Sequence, residues 1–195
     1  NGHLDNSSTF DGSQVTVPKL LREAGYETAM IGKWHLKSDP TGFDFWKVLL
    51  GQGPYYKPDF KNSTGVHNYE GYTTTVIMDE ALGWLKARKS EKPFFLMVHN
   101  KAPHRNWLPE PKYFNFEEKT FPVPDNYFDD YSNRGRAAKE QKMSVIEDMM
   151  IGYDLKALNP DSTVNQEGDN WIEGQLKRMT PEQRAAWDTH YDPII

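Results

Sequence analysis

Lys33 and His35 stand two residues apart after a short apolar run, and Lys101 and His104 stand three apart after another. A lysine ammonium carries a fixed positive charge with three donors, and an imidazole exchanges a proton near neutral pH. Brought together, such groups make a site for an oxyanion. The cations hold charged oxygens, and a histidine within reach can protonate a departing one. Read residue by residue, a plainer alternative stays open, because lysines and histidines at strand ends are often only solvated or packed. His99 points from a buried segment and reads as a satisfied core histidine. Trp34 reads as packing.

The elements that must position these groups follow from pattern. Thr28 to Ile31 is compact and mostly apolar, as a central strand requires, and Pro93 to Val98 repeats the plan. Open α/β sheets place ligands at the carboxyl ends of their strands, where both Lys/His pairs would then lie. Thr16 is placed to cap a short helix with Pro18 in its first turn, Leu20, Leu21 and Ala24 as its buried face, and Gly25 closing it. Phe45 to Leu50 reads as a further strand, and Tyr55 to Asn62 as another, demoted to a sheet edge by Pro58. Val76, Ile77, Ala81, Trp84 and Leu85 recur at helical spacing over residues 73 to 88, after a threonine cap, giving a right-handed crossover into the strand at 94 to 99. Prolines 109, 111, 122 and 124 punctuate an extended aromatic loop. A helix is expected over 136 to 157, a polar loop over 159 to 170, and a capping box at Thr180-Pro181-Glu182-Gln183 opens another helix.

Composition excludes more than it identifies. The 195 residues suit one domain, with 23 Lys plus Arg against 28 Asp plus Glu and a net charge of −5. That balance gives no support for nucleic-acid binding. Cysteine is absent, so disulfides and thiolate metal sites are excluded. No apolar run reaches membrane-spanning length. Aromatics make up 13% against a hydrophobic share of only 37%, so burial leans on Trp, Tyr and Phe.

The run Gly25 to Leu36, followed by Lys92 to His104, resembles the sulfatase family of the alkaline-phosphatase superfamily. Gly42-Phe43-Asp44 and Gly71-Tyr72-Thr73-Thr74-Thr75 extend the likeness. The later stretches Tyr127 to Tyr131, Tyr153-Asp154-Leu155-Lys156 and Tyr191 to Ile195 are similar to bacterial N-acetylglucosamine-6-sulfatases, also called mucin-desulfating sulfatases. The resemblance implies an α/β fold, part of an alkaline-phosphatase-like mixed sheet flanked by helices. It implies hydrolysis of 6-O-sulfate on N-acetylglucosamine in host glycans, of the mucin, heparan or keratan sulfate type. A sulfatase for another sugar, a phosphonate or phosphate ester hydrolase, and a noncatalytic sulfoglycan-binding module are the alternatives.

By that resemblance Lys33 contacts the sulfate and the nucleophile, His35 bonds to the hydroxyl of a formylglycine, and His104 faces the sulfate as general acid. Lys101 belongs to the subgroup's Lys-Ala-Pro-His run and is placed with the substrate. Arg105, Asn106 and Trp107 either recognise sugar hydroxyls and stack on a ring, or form a loop anchored by Trp107. The formylglycine arises from a Cys or Ser in a Cys/Ser-x-Pro/Ala-x-Arg motif, and no such motif is present in this chain. The family's calcium is likewise implied, with its ligands outside the chain. Asp129-Asp130 reads as a solvated acidic turn rather than a metal site. Residues 1 to 195 are therefore expected to be one incomplete catalytic domain, inactive alone, with a sulfated glycan as partner, no nucleic acid or membrane, and a periplasmic or secreted location.

Overall fold

The computed structural model describes residues 2–116, 120–156 and 172–191. Its centre is β1, Glu27–Lys33, whose five middle residues are all buried. β1 pairs in parallel with β2 (Phe45–Leu49) on one side and with a strand at Phe94–His99 on the other. Beyond β2 lie β3 (Asp59–Asn62) and β4 (Gly65–Asn68), both antiparallel. With Phe94–His99 as β5, the five strands run in the order β4-β3-β2-β1-β5. The sheet is mixed and the class is α/β, as the sequence pattern requires.

Strand alternation divides the core between two faces. Ile31, Leu49 and Phe60 pack on Ile77 and Ala81 of helix α2 (Thr73–Ala87), while Met30 and Val48 pack with Phe43 on the opposite side. Lys47 of β2 reaches Glu80 of α2 at 2.5 Å, and Arg88 just past α2 reaches Glu27 of β1 at 2.8 Å. A second core of Tyr55, Tyr56, Tyr72, Leu108, Leu176 and Trp187 joins the loop after β5 to the C-terminal helices. These are α5 (residues 172–176) and α6 (Pro181–Tyr191). The capping box forms in full: Thr180 N–H donates to Gln183 Oε1 at 3.0 Å, and Gln183 N–H donates to Thr180 Oγ1 at 3.3 Å.

Several expectations are corrected. Helix α1 (Val17–Glu23) has Thr16 at its N-cap and Gly25 at φ 91 after it, but it buries no residue and Leu20 is 53% exposed. Polar ties hold α1 instead, with Lys19 Nζ donating to the Gln14 carbonyl at 2.8 Å. Tyr72 rather than a threonine precedes α2, and no side chain caps it. Pro58 does not mark an edge. It lies just outside β3, where its missing N–H removes no ladder bond, and β3 pairs on both sides. Strand β4 escaped the pattern because three of its four residues are exposed and do not alternate.

The helix expected over 136 to 157 is broken into α3 (Arg136–Glu140), α4 (Val145–Asp148) and a wide turn at Ile151–Leu155. The side chains of Ser144, Asp148 and Asp154 accept the backbone N–H groups of Glu147, Ser144 and Met150. Such local bonds compete with a continuous helix. The loop expected over 159 to 170 and the residues 192 to 195 lie outside the described residues.

One glycine fixes the join between β1 and β5. Gly32 has φ 110, and a Cβ there would sit 2.0 Å from the His99 carbonyl oxygen. Gly32→Ala is expected to destabilise the fold by about 2–5 kcal/mol, from strain and overpacking together. Gly25→Ala, where a Cβ meets nothing within 4 Å, should cost only about 1–2 kcal/mol for its left-handed backbone. Urea denaturation of both variants checks this, and equal midpoints would contradict it.

Candidate functional site

Because β1 and β5 run in parallel with Gly32 opposite His99, their chains leave the sheet at the same edge. Lys33 ends β1, and His35 follows in the loop. Lys101 and His104 follow the end of β5. His99 Nδ1 lies 3.0 Å from the Lys33 carbonyl, tying the two strand ends together and satisfying His99 as expected. The loops take costly shapes, with non-glycine residues in the left-handed region at His35 (φ 52), Lys37 (φ 60) and Trp107 (φ 37).

Lys33, His35, Lys101 and His104 form one electrostatic cluster. Burial lowers the Lys33 pKa. Burial, then Lys33, His104, Lys101 and Lys37, lowers that of His35. Burial and then Lys33 push Lys101 down to about 8. For His104, burial lowers the pKa most. The hydrogen bond to the Arg105 carbonyl opposes it, and Lys101 and Lys33 add to the lowering. Every charged neighbour named in these shifts is a potential cation, and no carboxylate is among them. Lys101 is 1% exposed, its Nζ has no hydrogen-bond partner, and it lies 5.2 Å from the centre of the Tyr55 ring. A buried ammonium without an anion is costly, and a bound anion would relieve that cost.

The loop from Lys101 to Pro109 is held largely through its carbonyls. The hydroxyls of Tyr55 and Tyr56 donate to the carbonyls of His104 and Pro109, and that of Tyr72 donates to Leu108 at 2.8 Å. Arg105 turns to Asp154, with Nε to Oδ1 at 2.7 Å and Nη2 to Oδ2 at 2.5 Å. Lys156 Nζ donates to the Asn106 carbonyl, and to the Asp154 carbonyl at 2.7 Å. Asn106 is fully buried, with no hydrogen-bond partner for its side-chain amide. Trp107 is 42% exposed and borders a cleft of about 440 Å³ with Arg105, Tyr131, Met143 and Met149.

Four of the seven expected site residues, Lys33, His35, Lys101 and His104, thus gather in the cationic cluster. Arg105, Asn106 and Trp107 run on from it. Sequence reasoning gave no role to the three tyrosine hydroxyls, Asp154 or Lys156. The one signal for them was that Tyr72 and the stretch 153 to 156 fall in matched motifs.

Lysines and histidines gathered at the carboxyl edge of an α/β sheet are the groups that an oxyanion site requires. The chain belongs to the sulfatase family, whose model, described as Sulfatase, matches residues 3–157. An N-acetylglucosamine-6-O-sulfatase of Bacteroides thetaiotaomicron is 48% identical over 98% of this chain and 35% of its own length. The human N-acetylglucosamine-6-sulfatase is 28% identical over 84% of this chain and 33% of its own length. A solved structure of BT4656, in complex with its substrate D-glucosamine-2-N,6-O-disulfate, superposes with a TM-score of 0.80 and 46% identity. It covers 97% of this chain and 39% of that one. The chain spans about a third of the length of these curated relatives. The fold is the alkaline-phosphatase-like one of the sulfatases.

Sulfatases generally use a formylglycine and a divalent metal. Among the described residues no group of three or more His, Asp or Glu is arranged to hold a metal ion. Asp129 is paired with Arg134 at 2.9 Å, and Asp130 accepts the Ser132 N–H at 2.8 Å. These residues do not fit the metal. Among the described residues no helix is long and apolar enough to cross a membrane.

Proposed function

We propose that the chain supplies the sulfate-gripping part of a sulfatase that removes 6-O-sulfate from N-acetylglucosamine in host glycans. The observation that carries this reading is the cluster of Lys33, His35, Lys101 and His104, which holds a buried lysine without a hydrogen-bond partner and counts no carboxylate among its charged neighbours. Its support for the sugar is the likeness to the Bacteroides N-acetylglucosamine-6-O-sulfatase. The 195 residues act as one part of a catalytic domain whose formylglycine and calcium ligands come from other segments, in a secreted or periplasmic protein. The formylglycine supplies the nucleophile that takes the sulfate.

Lys33 and Lys101 hold the sulfate oxygens. Cleavage moves charge onto those oxygens and onto the leaving O6, and fixed cations stabilise that change. His35 would accept a proton from the hydroxyl of that nucleophile. His104 starts neutral, because burial and the two lysines lower its pKa. The bound anion opposes that lowering, so His104 takes up a proton with the substrate and can deliver it to O6. Trp107, 42% exposed, is the residue of this run open to the sugar, while Arg105 is held by Asp154 and buried Asn106 shapes the loop beneath.

The test is a hybrid in which this chain replaces the corresponding third of the Bacteroides relative. The hybrid should release sulfate from 6-O-sulfated N-acetylglucosamine faster than from the 3-O-sulfated isomer, and should spare the 6-phosphate. A folded hybrid that prefers the phosphate ester, or turns over neither, would overturn the reading.

A further inference from the structure

The His104 imidazole has an internal partner. Its Nδ1 lies within hydrogen-bond distance of the Arg105 carbonyl oxygen. A carbonyl oxygen only accepts, so Nδ1 carries the proton and Nε2 is the nitrogen left to exchange one. That tautomer depends on where the Arg105 backbone sits, and several contacts from one short segment fix it. Asp154, with its side chain only 1% exposed, takes both Nε and Nη2 of Arg105. The Asp148 carbonyl accepts from the same Nη2 at 2.8 Å, and the guanidinium lies 5.3 Å from the centre of the Tyr153 ring. Lys156, only 8% exposed, grips the next carbonyl, that of Asn106, and stands 5.9 Å over Trp107. The wide turn at Ile151–Leu155 carries Asp154, and the Met150 N–H donating to Asp154 Oδ2 at 2.8 Å fixes that carboxylate in turn.

We propose that Asp154, seconded by Lys156, is a positioning residue for His104: it anchors Arg105 so that the Arg105 carbonyl holds the Nδ1 proton and leaves Nε2 facing the ligand. What Nε2 then does rests on the sulfatase reading above, but the tautomer itself does not. Two fixed hydrogen bonds from a guanidinium to a nearly buried carboxylate give direction as well as strength, which a surface ion pair lacks. The arrangement parallels the use of an outer carboxylate to set a histidine's tautomer, with a backbone carbonyl as the intermediary.

The test is ¹⁵N NMR of the histidine rings in the 195-residue chain, with His104 assigned through His104→Gln. The wild type should show a single Nδ1–H tautomer at His104. Asp154→Asn should keep its circular dichroism spectrum, lose the single tautomer, and titrate His104 at lower pH, because a bond that raises its pKa is weakened. Asp154→Glu should recover much of the wild-type signature. If Asp154→Asn does not fold, the doubly neutral Arg105→Ala/Asp154→Ala variant removes the anchor without leaving an unpaired buried charge, and should show the same loss. A wild-type Nε2–H tautomer, or variants that fold and keep the wild-type signature, would overturn the proposal. A changed tautomer beside a hybrid inactive on every sulfate would overturn only the sulfatase reading.

Discussion

Lys33→Ala is expected to lower kcat/KM of the hybrid on 6-O-sulfated N-acetylglucosamine by about 10²- to 10³-fold, the usual cost of deleting one preorganised charge-stabilising donor. A rate loss alone cannot separate a direct contact from damage to β1, so a second readout is needed. Lys33 and burial together push Lys101 down to about 8. An anion binds the ammonium form, so sulfate affinity in the wild type should fall as pH rises through that value. Removing Lys33 removes the like charge that favours neutral Lys101, and the alkaline limb should then move to higher pH. Burial, the larger cause, remains, so the limb stays below the ordinary lysine value of 10.5. Calorimetric titration of the 195-residue chain with inorganic sulfate between pH 6 and 11 reads this. An unmoved limb in Lys33→Ala would show that the two lysines do not share a site.

The same linkage sets how Lys101 affects folding. Its folded-state pKa lies below its unfolded value, so folding releases a proton in the interval between them. The chain should therefore gain stability as pH rises through about 8 toward 10.5, and lose it on the way down. A bound anion reverses the preference by stabilising the ammonium. The cluster is thus a poor neighbour to itself when empty. A buried cation pair of this kind is a feature that selection for stability alone would remove.

How much of this was legible depends on where the forces come from. β1, α2 and β5 were readable because their apolar residues bury against one another at strand and helix periods, so local pattern and tertiary packing agree. The common edge of Lys33 and His104 followed from those strands. The buried face assigned to α1 failed because Lys19, a polar residue, does the anchoring while Leu20 remains exposed. The shape of the loop from Lys101 to Pro109 was unreadable for a different reason. Its carbonyls are held by tyrosines about 35 to 55 positions earlier and by Lys156 about 50 positions later, and its Arg105 side chain is held by Asp154 at a similar distance. No local periodicity records a partner at that distance.

His104→Ala is expected to separate two kinds of substrate. A sugar alcohol is a poor leaving group, so loss of its proton donor should cost about 10²- to 10⁴-fold on 6-O-sulfated N-acetylglucosamine. An activated aryl oxide departs with little help, and the same variant should lose far less on an aryl sulfate. His35→Ala should affect both substrates alike, because both must be attacked by the same nucleophile. The geometry supports the division. His104 is exposed on the loop past β5, with Nδ1 occupied by the Arg105 carbonyl and Nε2 left to face a leaving oxygen, whereas His35 is half-buried two residues beyond Lys33. The measurement is the ratio of aryl to sugar turnover in each variant of the hybrid. An equal loss on both substrates in His104→Ala would remove the leaving-group role and leave His104 as one more group holding the sulfate. In that case Asp154 would be positioning a ligand rather than an acid, and Asp154→Asn should raise KM without changing the aryl-to-sugar ratio.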